Sequence, residues 1–189
     1  DLKNYPQMAG AGLGDYIYKD IDENGKIDAK DMLRSDLNTI PQIVFGLTAN
    51  FQYKNFDLSI LFQGQALARL HYTPLQAPLE GNITKEMATQ SWNLDRPDAK
   101  YGRINSTNNR KESTMWLRNA SFLRLKNVEL GYNFSGKALK TVGVKGLRLY
   151  IGGYNLFTIS GLKEVDPETN NTASYPLMRV FNTGVKVTF

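Results

Sequence analysis

"IVFGLTANFQYKNFDLSILFQG", residues 43–64, contains two segments in which apolar and polar residues alternate with a period of two. In the first segment, residues 43–53, one face carries only apolar side chains and the other is mainly polar. The second segment, residues 56–64, repeats the pattern after the short link Lys54–Asn55. The pair predicts a β-hairpin. Each segment also has about the length, ~9–11 residues, that crosses a bilayer as a tilted strand.

Three further segments alternate in the same way: "FLRLKNVELGYNF" (122–134), "LRLYIGGYNLF" (147–157) and "VFNTGVKVTF" (180–189). The connections between the five segments are short and long in turn. The hairpin link and the turn after residue 134 are short, whereas the stretches before residue 43, between the hairpin and residue 122, and before residue 180 are long. Short turns on one side and long loops on the other are typical of an outer-membrane β-barrel. We therefore predict an all-β fold of antiparallel strands.

A soluble β-sandwich with one buried face would alternate in the same way. The two folds differ in where they place the apolar face, which lies against lipid in a barrel and in the core of a sandwich. Five strands are too few to close a transmembrane barrel, since the smallest use about eight. The barrel interpretation thus makes this chain the end of a larger barrel, and it predicts that the following residues face lipid: Phe45, Leu47, Leu58, Ile60, Leu130, Leu149 and Val187.

Loop lengths and strand directions also predict how the chain is divided, because the short turns of such barrels face the periplasm. We expect an extracellular loop with an acidic segment (1–42), a β-hairpin (43–66), a long extracellular loop (67–121), two strands joined by a periplasmic turn (122–157), an extracellular loop (158–177) and a terminal strand (178–189).

Composition excludes several classes of site. The chain has 189 residues and no cysteine, which rules out a disulfide framework and thiolate-bound zinc or iron–sulfur clusters. A single histidine, His71, leaves little scope for a multi-histidine metal site. The net charge of +5 is spread along the chain without a basic block, so we expect no nucleic-acid binding. We see neither a transmembrane helix nor a signal peptide in the sequence.

Several stretches, in their order and spacing, resemble the C-terminal part of the SusC/RagA family of TonB-linked outer-membrane transporters. The resemblance runs from about Gly14 to Phe189, and it is carried by these stretches: "GDYIYKDIDENGKIDAKD", "IPQIVFGLTANFQYKNFDLSILFQG", "SWNLDRPDAKYGRIN", "STMWLRNASFLRLKNVELGYNF", "GLRLYIGGYNLFTIS", "VDPE" and "FNTGVKVTF".

The resemblance implies a fold and a function. Members of this family are expected to form barrels of 22 strands around an N-terminal plug, to import oligosaccharides or peptides, and to work with a SusD-like surface lipoprotein. The TonB complex supplies their energy through a segment near the N-terminus. This chain matches only the barrel's end, so by itself it should transport nothing. The resemblance implies a location in the cell outer membrane, with extracellular loops.

The final strand resembles the C-terminal signal that the barrel assembly machinery recognises in outer-membrane proteins. Val185, Val187 and Phe189 share one face of the strand, and the last residue is aromatic. An unpaired strand edge is a template to which another strand can be added. The alternative is an ordinary last strand that ends in a hydrophobic residue.

The stretch "DIDENGKIDAKD", residues 20–31, has the spacing of a calcium loop. Oxygen ligands at positions 1, 3, 5, 7, 9 and 12 and glycine at position 6 define the EF-hand loop. Gly25 occupies the glycine position, and the ligand positions are filled by Asp20, Asp22, Asn24, Lys26 (through its carbonyl), Asp28 and Asp31.

This loop departs from the standard pattern at Asp31, where the usual residue is a bidentate glutamate. The sequence also shows no helix before it. We expect a structural Ca²⁺ site that stiffens an extracellular loop. The alternative is a turn in which aspartate and asparagine side chains cap backbone amides and Gly25 supplies positive φ.

Four aromatic residues of the long loops are candidates for contact with a ligand or partner: Tyr72, Trp92, Trp116 and Tyr175. They could stack on sugar rings, or they could form part of the aromatic belt at a membrane interface.

The main alternative to the transporter is a secreted or surface glycan-binding β module with a calcium-stabilised loop. An enzyme acting on sugars is disfavoured, because no pair of acids stands out from the loops. We expect no enzymatic activity and no cofactor other than Ca²⁺.

Overall fold

The computed structural model describes residues 4–36, 38–72, 83–134, 136, 139, 141, 143–163, 165–169 and 174–189. Parts of the predicted loops and of the predicted periplasmic turn lie outside the described residues. The chain forms two compact units: unit 1 comprises Asp1–Asp36 with His71–Leu117, and unit 2 comprises Leu37–Leu70 with Arg118–Phe189. Two long connections that we expected as separate loops thus contribute to one compact unit.

The strands are, in chain order, β1 (Ile43–Tyr53), β2 (Phe56–Ala66), β3 (Arg69–His71), β4 (Leu117–Asn119), β5 (Phe122–Phe134), β6 (Gly146–Ser160) and β7 (Val180–Thr188). Five of them form one antiparallel sheet in the order β1-β2-β5-β6-β7, and β3 pairs with β4. Helix is sparse, and the α-helix α1 spans Lys85–Gln90. The predicted antiparallel β fold is confirmed.

Strand register gives the five-stranded sheet two different faces, because residues that are directly opposite in antiparallel strands share a face. Leu47 pairs with Phe62, Leu58 with Leu130, and Leu149 with Val185, so apolar residues line up across the sheet. The seven residues predicted to face lipid all lie on this apolar face. The opposite face is mostly polar and includes these residues: Thr48, Asn50, Gln52, Asp57, Ser59, Gln63, Gln65, Arg124, Asn127, Glu129, Asn133, Arg148, Thr158, Asn182 and Lys186.

The alternation slips by one residue in the middle of β5. Leu61 of β2 pairs with Asn127 and Phe62 pairs with Leu125, which leaves Lys126 without a partner on β2. One extra residue of this kind is a β-bulge. Because of the bulge, the apolar positions change from odd to even numbers and still remain on one face: Leu123, Leu125, Val128, Leu130 and Tyr132.

A cluster of charges lies on the polar face, close to the short turns. Arg148 forms ion pairs with Asp57 and with Glu129, the latter at 2.8 Å. Asn133 donates a hydrogen bond to Asp57 at 2.7 Å. These side chains are all partly buried, and one positive charge is shared by two carboxylates. The cluster ties the beginning of β2 to the end of β5 and the beginning of β6.

Gly131 leaves the space that the Arg148 side chain occupies, and we therefore expect Gly131→Ala to disturb the charge cluster. A Cβ at this position would collide with the guanidinium, the flexible end of the Arg148 side chain, which must then move away from its carboxylate partners. Loss of partly exposed ion pairs of this kind costs about 0.2–1 kcal/mol. The measurement is the free energy of unfolding of the whole protein in lipid. Gly46→Ala is the matched control on the same face, because its Cβ would approach only the carbonyl oxygen of Phe62, at 3.7 Å. Equal losses in the two variants would contradict the prediction.

Unit 2 has a small hydrophobic core beside the sheet, made by residues that adjoin the strands. Ala68, Leu70, Ala120 and Leu162 are buried together, and Val165 packs against them. The backbone N–H of Ala120 donates to the carbonyl of Ala68 at 3.0 Å. This core holds together the chain segments that follow β2, precede β5 and follow β6.

Unit 1 is held together by pairing between residues that are about 90 positions apart. Asn109, buried, accepts a hydrogen bond from the backbone N–H of Tyr16 at 2.8 Å and donates to the carbonyls of Gly14 and Arg103. The Tyr18 hydroxyl donates to the carbonyl of Asn108 at 2.6 Å. The segment that leads into the acidic loop is thus fixed to the middle of the chain.

Within the described residues, no helix is both long enough and apolar enough to cross a membrane.

Candidate metal and ligand sites

The acidic loop brings three of the six predicted calcium ligands together. Carboxylate oxygens of Asp20, Asp22 and Asp31 lie within 4.8 Å of one another. Gly25 has a φ of +79°, and its backbone N–H donates to Asp20 Oδ2 at 2.7 Å. A residue with a side chain would be strained at this φ, so the sharp turn of the loop depends on glycine.

Several of the predicted ligand groups also accept hydrogen bonds within the loop. Asn24 Oδ1 accepts a hydrogen bond from the backbone N–H of Lys26 at 2.9 Å. Asp28 caps a short 3₁₀ helix, Ala29–Asp31, by accepting from the N–H of Lys30 at 2.8 Å. The carboxylate of Asp31 accepts from the N–H groups of Asp28 and Ile21, both at 2.7 Å. These bonds preserve the shape of the loop, and the two hydrogen bonds that Asp31 accepts hold its pKa below the ordinary value.

An ion pair braces the segment just before the acidic loop. Arg103 donates through Nε to Asp15 Oδ1 at 2.7 Å and through Nη2 to Asp15 Oδ2 at 2.8 Å. The Asp15 side chain is almost fully buried, at 1 % exposed. Burial alone would raise its pKa, but hydrogen bonds from Arg103, Ser106 and Gly12 lower it to about 2. The Asp15 carboxylate therefore stays charged through the ordinary pH range of carboxyl titration, and the ion pair weakens only as the pH falls toward 2.

The four candidate aromatic residues have different environments. Tyr72 and Trp116 are buried in unit 1, at 1 % and 0 % exposed, which differs from the expectation that they face a ligand or a membrane interface. Trp92 is half-buried, and its ring lies directly over Gly14. Tyr175, at 91 % exposed, is the most accessible of the four.

Two residues of the predicted assembly signal lie on the apolar face of the last strand. Val185 pairs with Leu149, and Val187 pairs with Leu147. Phe189 follows β7 and is 77 % exposed. β7 is also an edge strand of the described sheet, since its one strand neighbour is β6.

Among the charged clusters that sequence reasoning missed is the one around Arg124. Arg124 of β5 is buried, and it forms ion pairs with Asp166 and Glu168 of the connection between β6 and β7. The available signal was an arginine in the first half of a strand together with two acids in the stretch "VDPE", but sequence spacing alone does not join groups more than 40 residues apart.

The chain has relatives of known name. It is 29% identical over 215 residues to the TonB-dependent receptor P3 of Formosa agariphila, an alignment that covers 98% of this chain and 20% of the relative. It is 28% identical over 193 residues to the TonB-dependent receptor SusC of Bacteroides thetaiotaomicron, covering 92% and 19%. The resemblance to the SusC/RagA-type TonB-dependent receptors is confirmed. No family model matches the sequence.

The fold agrees with this relationship. A structure of the RagAB peptide transporter superposes with a TM-score of 0.70 at 24% identity and covers 87% of this chain and 19% of that chain. At this identity, the likeness concerns the fold alone. The chain spans about a fifth of the length of the curated relatives it matches. These matched proteins are named as receptors and transporters.

Proposed function

We propose that this chain is a segment of the wall and outer loops of a TonB-dependent importer in the cell outer membrane. The observation that carries the proposal is the five-stranded sheet with one apolar and one polar face, in a chain similar to TonB-dependent receptors. In a transmembrane barrel of this kind, the apolar face contacts lipid and the polar face lines the interior. The long connections, including the residues of unit 1, lie outside the cell.

The proposal extends to substrates and partners of the whole importer. It takes up oligosaccharides or peptides, works with a SusD-like lipoprotein and receives energy from the TonB complex. The neighbour of similar fold is named as a peptide transporter, which makes peptides one candidate substrate class, and the relative named SusC supports the lipoprotein partnership through the family resemblance. We also propose that Val185, Val187 and Phe189 serve as the signal for the barrel assembly machinery, since an edge strand can be extended by strand addition.

The experiment that tests the importer is the intact mass of the native polypeptide that contains this sequence, measured after detergent extraction of outer membranes. We expect a chain about five times as long as this one, in line with the 20% share of the relative, and one that needs detergent to remain in solution. A species near 21.3 kDa that is soluble without detergent would contradict the importer and favour the secreted glycan-binding module.

We further propose that the acidic loop holds a structural calcium ion. Support comes from the approach of the Asp20, Asp22 and Asp31 carboxylates and from the glycine turn between them. Lys26 would contribute its carbonyl oxygen, as position 7 of such loops does. Extracellular modules of this type bind calcium with Kd of about 10⁻⁴–10⁻³ M, so a site of this affinity fills at millimolar calcium. The ion would neutralise neighbouring carboxylates and stiffen the loop.

We expect Asp22→Ala to abolish stabilisation of the whole protein by calcium. Calcium at about 10 mM is roughly 10–100 times the Kd of such a site and would stabilise the folded state by about 1.4–2.7 kcal/mol, so it should raise the Tm of the parent protein above its value in chelator. Asp98→Ala is the control, because Asp98 is an exposed carboxylate of the same unit outside the acidic loop. An unchanged response to calcium in Asp22→Ala, or no response in the parent, would favour the plain capped turn.

A further inference from the structure

The side chain of Arg124 is a buried cation on the polar face of the sheet, with 2 % of its surface exposed. Its Nε donates to the hydroxyl of Thr158 on β6 at 2.8 Å. Its Nη2 donates to Asp166 Oδ1 and its Nη1 to Glu168 Oε2, both at 2.7 Å. Each nitrogen of the guanidinium thus has a partner, and two of the three partners belong to the connection between β6 and β7.

The β-bulge adds a second cation to the same place. The bulged residue, Lys126, donates through Nζ to both carboxylate oxygens of Glu168, at 2.9 and 3.1 Å. Two cations of β5 therefore face two carboxylates of the connection, and the charges balance. Gln65 of β2 adds a hydrogen bond from Nε2 to the carbonyl of Pro167 at 3.3 Å. The segment 165–169 is bound to two neighbouring strands.

Asp166 joins the two ends of the connection. One carboxylate oxygen accepts from the N–H of Glu168 at 3.0 Å, and the other accepts from the N–H of Leu177 at 3.3 Å. The carbonyl of Asp166 also accepts from the hydroxyl of Thr169 at 2.8 Å. Burial alone would raise the pKa of Asp166, but these hydrogen bonds and Arg124 lower it. The carboxylate therefore keeps its charge at neutral and mildly acidic pH, and it loses it only below the ordinary value of 3.8.

We propose that Arg124 is a positioning residue that clamps the connection between β6 and β7 against the polar face. The clamp holds segment 165–169 in a fixed position at the edge of the interior through which substrate would pass. It also anchors the connection before and after the exposed Tyr175 in sequence, through Asp166 and Leu177. The consequence for passage rests on the proposed function, since it requires the polar face to line the importer. The clamp itself does not depend on transport. Removing one partner of a buried ion pair is costly, because the other charge then stays buried without a partner.

The test measures the mobility of the connection in the whole protein, purified in detergent. This chain contains no cysteine, so Tyr175→Cys introduces one labelling site in it, and any cysteine elsewhere in the protein is replaced by serine. A nitroxide spin label at this exposed position reports the motion of the connection by its EPR line shape. We expect a restricted line shape in the parent and loss of the restricted component in Arg124→Gln.

Lys186→Gln is the matched control, because Lys186 is an exposed cation on the same face. It should leave the line shape unchanged. Asp166→Asn should mobilise the label as Arg124→Gln does, and the double variant should add little, because residues of one network are not additive. Arg124→Lys keeps the charge but loses the fork, so it should restore the restricted component only in part.

If the variants of Arg124 fail to assemble, a second variant still tests the clamp. Glu168→Gln removes a partner that is 26 % exposed and leaves the Arg124–Asp166 pair in place, so it should assemble and give a partial gain in mobility. A mobile label in the parent would overturn the clamp, as would equal effects of Arg124→Gln and Lys186→Gln. Neither outcome bears on the intact-mass experiment, and a soluble 21.3-kDa protein would leave the clamp intact while removing its role in passage.

Discussion

Leu47→Arg should destabilise the protein in a lipid bilayer by about 2–4 kcal/mol, which is the cost of an arginine on the lipid face near the middle of a membrane strand. Leu47 lies midway along β1 on the apolar face, opposite Phe62, and it is 63% exposed. Lipid that covers this side chain would have to accommodate a guanidinium. The measurement is the free energy of unfolding of the whole protein in bilayers, with assembly into the outer membrane as a second readout.

Thr48→Arg provides the comparison at almost the same depth. Thr48 is the next residue along β1, is also exposed and points to the polar face. An arginine there meets water and polar groups in the proposed interior, so we expect a change within about 0.5 kcal/mol, as for ordinary surface substitutions. A large loss for Leu47→Arg with a small loss for Thr48→Arg supports the assignment of the two faces. Equal losses, or the reverse order, would show that the apolar face does not contact lipid.

Trp116→Ala should destabilise unit 1 by about 3–5 kcal/mol, which is typical of removing a buried aromatic side chain. The Trp116 ring is fully buried. It packs edge to face against the ring of Tyr16, with the two ring centroids 6.2 Å apart. The alanine would leave a cavity between the early segment and the end of the second long connection. Hydrogen exchange of residues 83–117 in the whole protein measures the effect, since local opening reports the stability of the unit.

Leu94→Ala is the control for this prediction. Leu94 belongs to the same unit and is also a large apolar residue, but it is 83% exposed. Its removal should change exchange by the equivalent of no more than about 0.5 kcal/mol. Comparable acceleration of exchange in both variants would show that Trp116 is not part of a packed core.

Local patterns in the sequence predicted the strands of the sheet and the positive φ of Gly25 in the acidic loop. The alternation in residues 43–64 predicted a hairpin, and the structure pairs Ile43–Tyr53 with Phe56–Ala66 across the two-residue link. The bulge is also visible in the sequence, because the apolar positions of β5 change from odd to even residue numbers at Lys126. Such features are visible because a strand repeats every two residues and a turn depends on a few neighbours.

The tertiary structure alone decided which distant residues meet. It joined Asp15 to Arg103 and Arg124 to Asp166. It also buried Tyr72 and Trp116, two aromatic residues of the long loops that were candidates for contact with a ligand or partner. Burial and ion pairing in long connections depend on how the chain returns on itself, and neither periodicity nor spacing specifies that path. The sequence by itself therefore determined the strand pattern, the two faces of the sheet and the spacing of the acidic loop. Folding decided the interior of unit 1 and the clamp on the polar face, because both are built from contacts between residues more than 40 positions apart.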